Sequence, residues 1–97
     1  MKRLTSVLTA DMDSCYLTGC NQVERHHIFG GLNRKRSEKY GFVVPLRPDL
    51  HPNGARFVRC PETEGIDTYL KQKAQTYYEQ HIGSREDFRQ EFGKSWL

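Results

Sequence analysis

The stretch that decides the fold is VERHHIFGG, residues 23–31. Residues 23–29 predict a β-strand with a histidine doublet near its end. Adjacent positions on a strand point to opposite faces, so His26 and His27 should occupy different environments. The pair Gly30-Gly31 then lets the backbone turn sharply and lets a phosphate group approach without interference from Cβ atoms.

A second strand is predicted at GFVVPL, residues 41–46, with Pro45 placing its end at a sheet edge. The intervening residues 30–39 are rich in glycine, asparagine and charge, and their length is typical of a functional loop rather than a tight turn. A third short strand is predicted at residues 4–9. The antiparallel return of the chain should bring His51 back towards the doublet.

His51 lies in RPDLHPNG, residues 47–54, whose two prolines and glycine allow a helical turn or a loop but no long helix. Asn53-Gly54 is a strong turn signal, and residues 55–58 could add a short extended piece.

The chain changes to helical periodicity from Ile66 onward. The apolar stripe consists of Ile66, Leu70, Ala74, Tyr77, Tyr78 and Ile82. Gly83 is a natural stop, and Ser84 predicts the start of a second helix that ends at Gly93. In the last turn of the first helix, His81 is interpreted as a partner of the helix dipole rather than as a ligand.

Length and composition predict one α+β domain, residues 1–97, that contains no membrane span. The 97 residues include 28% charged side chains, the mean hydropathy is -0.79, and no apolar run approaches the roughly 20 residues that a transmembrane helix needs. The N-terminal apolar stretch is too short for an export signal, which predicts a cytoplasmic location and reduced thiols at the three cysteines.

Positive charge is concentrated around the histidines. Residues 1–60 carry ten Lys and Arg against five Asp and Glu, whereas residues 61–97 carry five against seven. A basic patch beside the doublet is suited to a polyanionic substrate, although a merely solvated basic face is the plainer alternative. The candidate nucleic-acid-binding residues are Arg25, Arg34, Lys35, Arg36, Lys39 and Arg56.

The predicted histidines and the basic patch are the groups that phosphodiester cleavage needs. The reaction requires an activated water, charge stabilisation on the phosphoryl oxygens and help for the leaving oxygen. A neutral histidine is a competent base near neutral pH, and a divalent metal can supply the other two requirements. The spacing therefore predicts a site in which one histidine binds a metal and its neighbour accepts a proton.

The strings ERHHIFGG, NRKRSEKYG, VVPLRPDLHPNG and the ending FGKSWL together resemble the HNH (ββα-metal) endonucleases. More narrowly, they resemble the small phage-type branch that includes recombination-enhancement nucleases acting with a recombinase. The similarity implies a ββα-metal core over residues 15–57. It also implies a C-terminal helical part over residues 64–97, which consists of a pair of helices. It also implies DNA as the substrate, a bacterial host cell as the location, and either a recombinase filament or another phage replication or recombination protein as a partner.

Carried over residue by residue, the resemblance makes His26 a metal ligand, His27 the general base and His51 a second metal ligand. Asn53 is either a further ligand or the residue that orders the turn. The middle asparagine of the family motif has no counterpart near Phe42, so its bracing role is either empty or taken by Asn33 or another loop residue.

Two departures from the family pattern bear on metal binding. Only Cys15 remains of the two cysteine pairs that often hold a structural zinc, so no structural zinc is expected. Arg56 stands where related sequences often have another histidine; the site then either binds its metal more weakly or uses this guanidinium to clamp the scissile phosphate.

The predicted function is a metal-dependent endonuclease with one divalent ion. Histidine-rich ligation favours Zn, Mn, Co or Ni, with Mg as a further possibility. The first alternative is an inactive nucleic-acid-binding module of the same fold. The second is a small structural zinc protein, which would unfold on chelation.

Overall fold

The computed structural model describes residues 5–51, 57, 61, 63 and 65–97. The elements are two strands, β1 (Glu24–His27) and β2 (Val43–Leu46), and three α-helices, α1 (Arg34–Tyr40), α2 (Ile66–His81) and α3 (Arg85–Phe92). Short 3-10 helices lie at Gly31–Asn33 and Pro48–Leu50. The strands are antiparallel, and the architecture is α+β, as predicted. No helix in the described part of the chain is both long and apolar enough to cross a membrane.

The two strands form a short hairpin whose second strand is completely buried. Glu24 pairs with Leu46 and His27 with Val43. Pro45 lies inside β2 opposite Arg25, one residue before the end of the strand. In the described part of the chain β2 is an edge strand, because the sheet has two strands, and this agrees with the edge position predicted for the proline. Its carbonyl accepts a hydrogen bond from the Tyr16 N–H at 2.8 Å. In an antiparallel pair, the N–H and C=O positions of one residue point to the same side of the strand. The Pro45 carbonyl points away from β1, so the N–H that proline lacks would not have bonded to β1 either.

The segment predicted as a loop, residues 30–39, is instead a 3-10 turn followed by helix α1. The fully buried Ser37 ties this helix to the residues that follow β1 and precede β2: its hydroxyl donates to the Phe42 carbonyl and accepts from the Phe29 N–H. Gly41 then ends the helix in the left-handed conformation, with φ of 75°. The prediction was wrong because α1 has no apolar stripe and is held by these tertiary hydrogen bonds rather than by hydrophobic periodicity.

The strand predicted at residues 4–9 is also wrong over its described part, residues 5–9. This segment crosses the end of α1, where the Val7 N–H donates to the Gly41 carbonyl at 2.9 Å. A Cβ at Gly41 would lie 2.9 Å from Val7 Cγ1, so the crossing requires a glycine for space as well as for its positive φ.

The turn at residues 15–20 packs beside β2. The Cys15 sulfur accepts a hydrogen bond from the Arg47 N–H, and both Cys15 and Cys20 are free thiols. Cys60 and most of the extended piece predicted at 55–58 lie outside the described residues.

The two C-terminal helices are confirmed. Helix α2 buries Ile66, Leu70, Ala74 and Tyr78 of the predicted stripe, together with Gln75. Helix α3 begins with a complete capping box between Ser84 and Asp87 and ends at Gly93. His81 lies in the last turn of α2, as expected of a dipole partner, with its ring 4.5 Å from that of Tyr77.

The core lies between the hairpin and these two helices. Phe29 and Phe42 from the hairpin side contact Phe92 of α3, with ring centroids 4.4 and 6.0 Å apart. At the edge of this aromatic cluster, Glu91 accepts hydrogen bonds from the hydroxyls of Tyr40 and Tyr78. The core thereby fixes β1, which carries the histidine doublet, relative to α1 and α2.

Candidate metal and phosphate site

Strand β1 sends its two histidines to different surroundings, as the alternation predicts. His26 lies opposite Val44 and is 5% exposed, on the same face as Glu24. His27 lies opposite Val43, and its side chain is 12% exposed and directed to α1.

The Nε2 atom of His26 is buried and has no hydrogen-bond partner among the described residues. A buried polar nitrogen without a partner is costly unless something else binds it. Burial, reinforced by the nearby His51, lowers the pKa of His26 to about 4. The ring is therefore neutral near neutral pH and has a lone pair for a metal ion.

His51 meets His26 at the end of the 3-10 helix Pro48–Leu50. The two ring centroids are 5.0 Å apart and their planes are inclined by 72°. The Nδ1–H of His51 donates to Glu24 Oε1 at 2.7 Å. In the neutral ring this bond places the proton on Nδ1 and leaves Nε2 as the acceptor, which is the usual arrangement of a metal-binding histidine and its supporting carboxylate.

His27 has its own carboxylate. Its Nε2 lies 2.7 Å from Oε1 of Glu38 on α1. A histidine that donates from Nε2 keeps Nδ1 as the proton acceptor, so the contact orients the ring as a base. From the sequence, the bracing role was either empty or taken by Asn33 or another residue of the predicted loop. The Asn33 amide donates to the Phe92 carbonyl at 3.4 Å, and the residue of this segment that contacts His27 is Glu38.

All three rings border one cavity of about 390 Å³. The turn after β1 forms part of its wall, and Gly31 there has φ of 58°. A Cβ added at Gly31 would have no atom within 4 Å. The predicted glycine turn is thus present and leaves open space beside the histidines.

Within the described part of the chain, the charged residues that line the cavity are Arg25, Arg34, Lys71 and Asp67. The other predicted nucleic-acid-binding residues of α1 lie outside it: Lys35, Arg36 and Lys39 are exposed along the helix. Arg36 donates to Asn33 Oδ1 at 3.2 Å, and Lys39 Nζ lies 5.2 Å from the Tyr40 ring. Asn53 and Arg56 lie outside the described residues.

Four residues of this site were missed from the sequence: Glu24, Glu38, Asp67 and Lys71. Glu24 left a usable signal, since a residue two before His26 on a strand shares its face. Glu38 gave no usable signal, because its segment was predicted to be a loop. The spacing of Asp67 and Lys71 marks a helical ion pair but does not indicate that α2 reaches the histidines.

No family model, curated protein or solved structure matches the chain. Among the residues that the structure describes, no group of three or more His, Cys, Asp or Glu side chains is placed to hold a metal ion. The described donor set is the imidazole pair His26 and His51. It fits a metal ion because the buried Nε2 of His26 lacks a partner within that part of the chain and because Glu24 supports His51.

Proposed function

We propose that this protein is a metal-dependent endonuclease of the HNH (ββα-metal) type, acting on DNA phosphodiester bonds in the cytoplasm of a bacterial host. The observation that carries the proposal is the buried Nε2 of His26, unpartnered among the described residues, in a cavity that also contains His51 and His27. The order of two antiparallel strands followed by helix α2 is compatible with this type of nuclease.

In this proposal, His26 and His51 hold one divalent ion, with Asn53 as a further candidate ligand. When bound, the ion would supply charge stabilisation to the phosphoryl and leaving oxygens. Zn, Mn, Co and Ni suit an imidazole pair, and Mg is the further candidate.

The remaining chemistry belongs to side chains of the chain itself. His27 accepts the proton of the attacking water at Nδ1, while Glu38 holds Nε2–H and stabilises the charge that develops on the ring. Arg25 and Arg34 line the cavity and bind the phosphates on either side of the scissile bond. The exposed cations of α1 extend this surface along the DNA, so binding should depend steeply on salt.

Nicking of supercoiled plasmid with each of the five metals tests the proposal. The wild type should nick DNA with at least one metal and stop in excess chelator. His27→Ala should lose at least a hundredfold in rate at equal metal occupancy, in line with the usual contribution of a general base. His81→Ala, which removes an exposed histidine at the far end of α2, is the matched control and should retain full activity. Equal activity of wild type and His27→Ala would refute the proposed role.

The second candidate is a nucleic-acid-binding module without catalysis, as part of a phage recombination or replication complex. The exposed cations of α1 are the observation that favours it. A wild type that fails to nick with every metal but still shifts DNA at low salt would select this candidate.

A further inference from the structure

Lys71 is a cation of the site that belongs to neither the histidine motif nor the basic helix α1. It lies in the second turn of α2, and its side chain is only 17% exposed. Its ammonium is 2.7 Å from Asp67 Oδ2 and 4.5 Å from the ring centroid of Trp96. It lines the cavity that contains the three histidines.

The C-terminal segment, residues 94–97, contacts this lysine through the ring of Trp96. The Trp96 carbonyl accepts from Gln72 at 2.9 Å, and the Trp96 N–H donates to Gln75 at 2.7 Å. Gln75 is fully buried and also donates to Ser95 at 2.9 Å. These bonds hold the backbone of Trp96, and its ring packs against the core. The contacts with this ring and with Asp67 restrict the long side chain of Lys71 before any ligand binds, which lowers the entropic cost of a further contact.

The ammonium of Lys71 is not saturated by these contacts. It has three N–H donors, and Asp67 accepts one of them, while a ring face attracts the charge without accepting a conventional hydrogen bond. Asp67 is the only acidic side chain among the described residues that line the cavity, against Arg25, Arg34 and Lys71. Over the part of the chain that the structure describes, the wall that a phosphate would meet in the cavity therefore has a net positive charge, to which α2 contributes Lys71.

We propose that Lys71 is a phosphate-binding residue of the site, that Trp96 and Asp67 position its ammonium, and that Asp67 competes with the DNA phosphate for it. The inference rests on the proposed function, because it assigns DNA as the polyanion that enters this cavity. It adds Lys71 of α2 to the cavity-lining cations Arg25 and Arg34, and it gives the C-terminal segment a supporting role.

The proposal predicts opposite effects for the two members of one ion pair. Lys71→Met keeps the apolar stem and removes the charge, so DNA affinity should fall roughly tenfold and the slope of log K against log salt should decrease by about one. Asp67→Asn removes the competing charge but keeps a side-chain oxygen that can accept from the Lys71 ammonium. The position of Lys71 should therefore be retained, and affinity should rise by about two- to fivefold at low salt. If the ion pair only stabilised the fold, the two substitutions would change DNA affinity in the same direction, because either one weakens the same contact.

Binding should be measured by fluorescence anisotropy with a labelled 20-base-pair duplex in excess chelator, over a series of salt concentrations. Lys73→Met is the matched control for lost positive charge, because Lys73 is on the same helix but does not line the cavity. Glu86→Gln is the control for lost negative charge, because Glu86 is exposed on α3. Far-UV circular dichroism and thermal melting establish that each variant is folded, and Lys71→Arg provides a second test because it should retain most of the affinity.

A loss specific to Lys71→Met together with a gain specific to Asp67→Asn supports the proposal. Equal losses in Lys71→Met and Lys73→Met, or a loss in Asp67→Asn, overturn it. Plasmid nicking separates this result from the larger claim. If the wild type nicks DNA and Lys71→Met binds DNA normally, only the role of Lys71 is refuted. If the wild type never nicks DNA, the proposed nuclease activity is refuted, and the binding measurements still decide whether Lys71 binds phosphate.

Discussion

Two carboxylates in this site make the same contact with two different histidines, and their substitution should separate metal binding from proton transfer. Glu24 Oε1 lies 2.7 Å from Nδ1 of His51, and Glu38 Oε1 lies 2.7 Å from Nε2 of His27. Glutamine keeps the length of either side chain and can still accept a neutral hydrogen bond, so Glu24→Gln and Glu38→Gln remove charge while disturbing shape little.

The expected sizes follow from what each histidine does. Loss of a carboxylate that supports a metal-binding histidine typically costs 10–100-fold in metal affinity, or about 1.4–2.7 kcal/mol. Because the Glu24 side chain is 39% exposed, its pair with His51 should itself contribute at most about 1 kcal/mol to folding. Glu24→Gln should therefore remain folded, bind its metal about tenfold more weakly, and nick DNA at nearly the wild-type rate once metal is saturating.

Glu38→Gln should show the converse. Its metal dissociation constant should stay within about twofold of wild type, and its rate at saturating metal should fall by about ten- to a hundredfold, because the base has lost the group that orients it. Competition titration with a chromophoric zinc chelator measures the first quantity, and single-turnover nicking measures the second. If Glu24→Gln leaves metal affinity intact, or if both variants show the same pattern, the division of roles between His51 and His27 is wrong.

Three further predictions concern stability and DNA binding. Burial lowers the pKa of His26 from 6.5 to about 4, so the unfolded chain takes up a proton first. In excess chelator this one group should lower the free energy of unfolding by about 3 kcal/mol between pH 6.5 and pH 4. Urea titrations should therefore show a smaller total decrease in His26→Asn than in wild type, and identical decreases would contradict the burial of a neutral ring. Ser84→Ala removes the capping bond to Asp87 and should cost about 1 kcal/mol in the same assay, whereas an unchanged midpoint would mean that the cap does not contribute to stability. The double substitution of Lys35 and Arg36 by alanine should lower the salt slope of DNA binding by about two, and an unchanged slope would exclude α1 from the DNA contact.

The elements that could be predicted are those that are stabilised by residues close together in the sequence. Helix α3 has its capping box at Ser84 and its terminal Gly93, and α2 has an apolar stripe from Ile66 to Tyr78. The opposite placement of His26 and His27 likewise follows from strand geometry alone. In these places, periodicity and end signals coincide with the final packing.

The parts that could not be predicted depend on contacts between distant segments. Helix α1 is anchored by the buried hydroxyl of Ser37, a residue that carries no apolar signal, and the pattern therefore predicts a loop in its place. Because this segment was predicted as a loop, the contact between Glu38 and His27 could not be predicted; it needs a helical turn at that point. Lys71 reaches the cavity only because α2 packs against the hairpin, and a distance between helix and strand is not encoded in local spacing.

The most direct test of the central claim is a crystal structure of the protein soaked with Mn or Zn, with the ion located by anomalous scattering. The account predicts one strong peak in the cavity, about 2.0–2.2 Å from Nε2 of His26 and from Nε2 of His51, with Glu24 still bound to Nδ1 of His51. A peak elsewhere on the molecule, or a cavity in which Nε2 of His26 contacts only water at saturating metal, would contradict it.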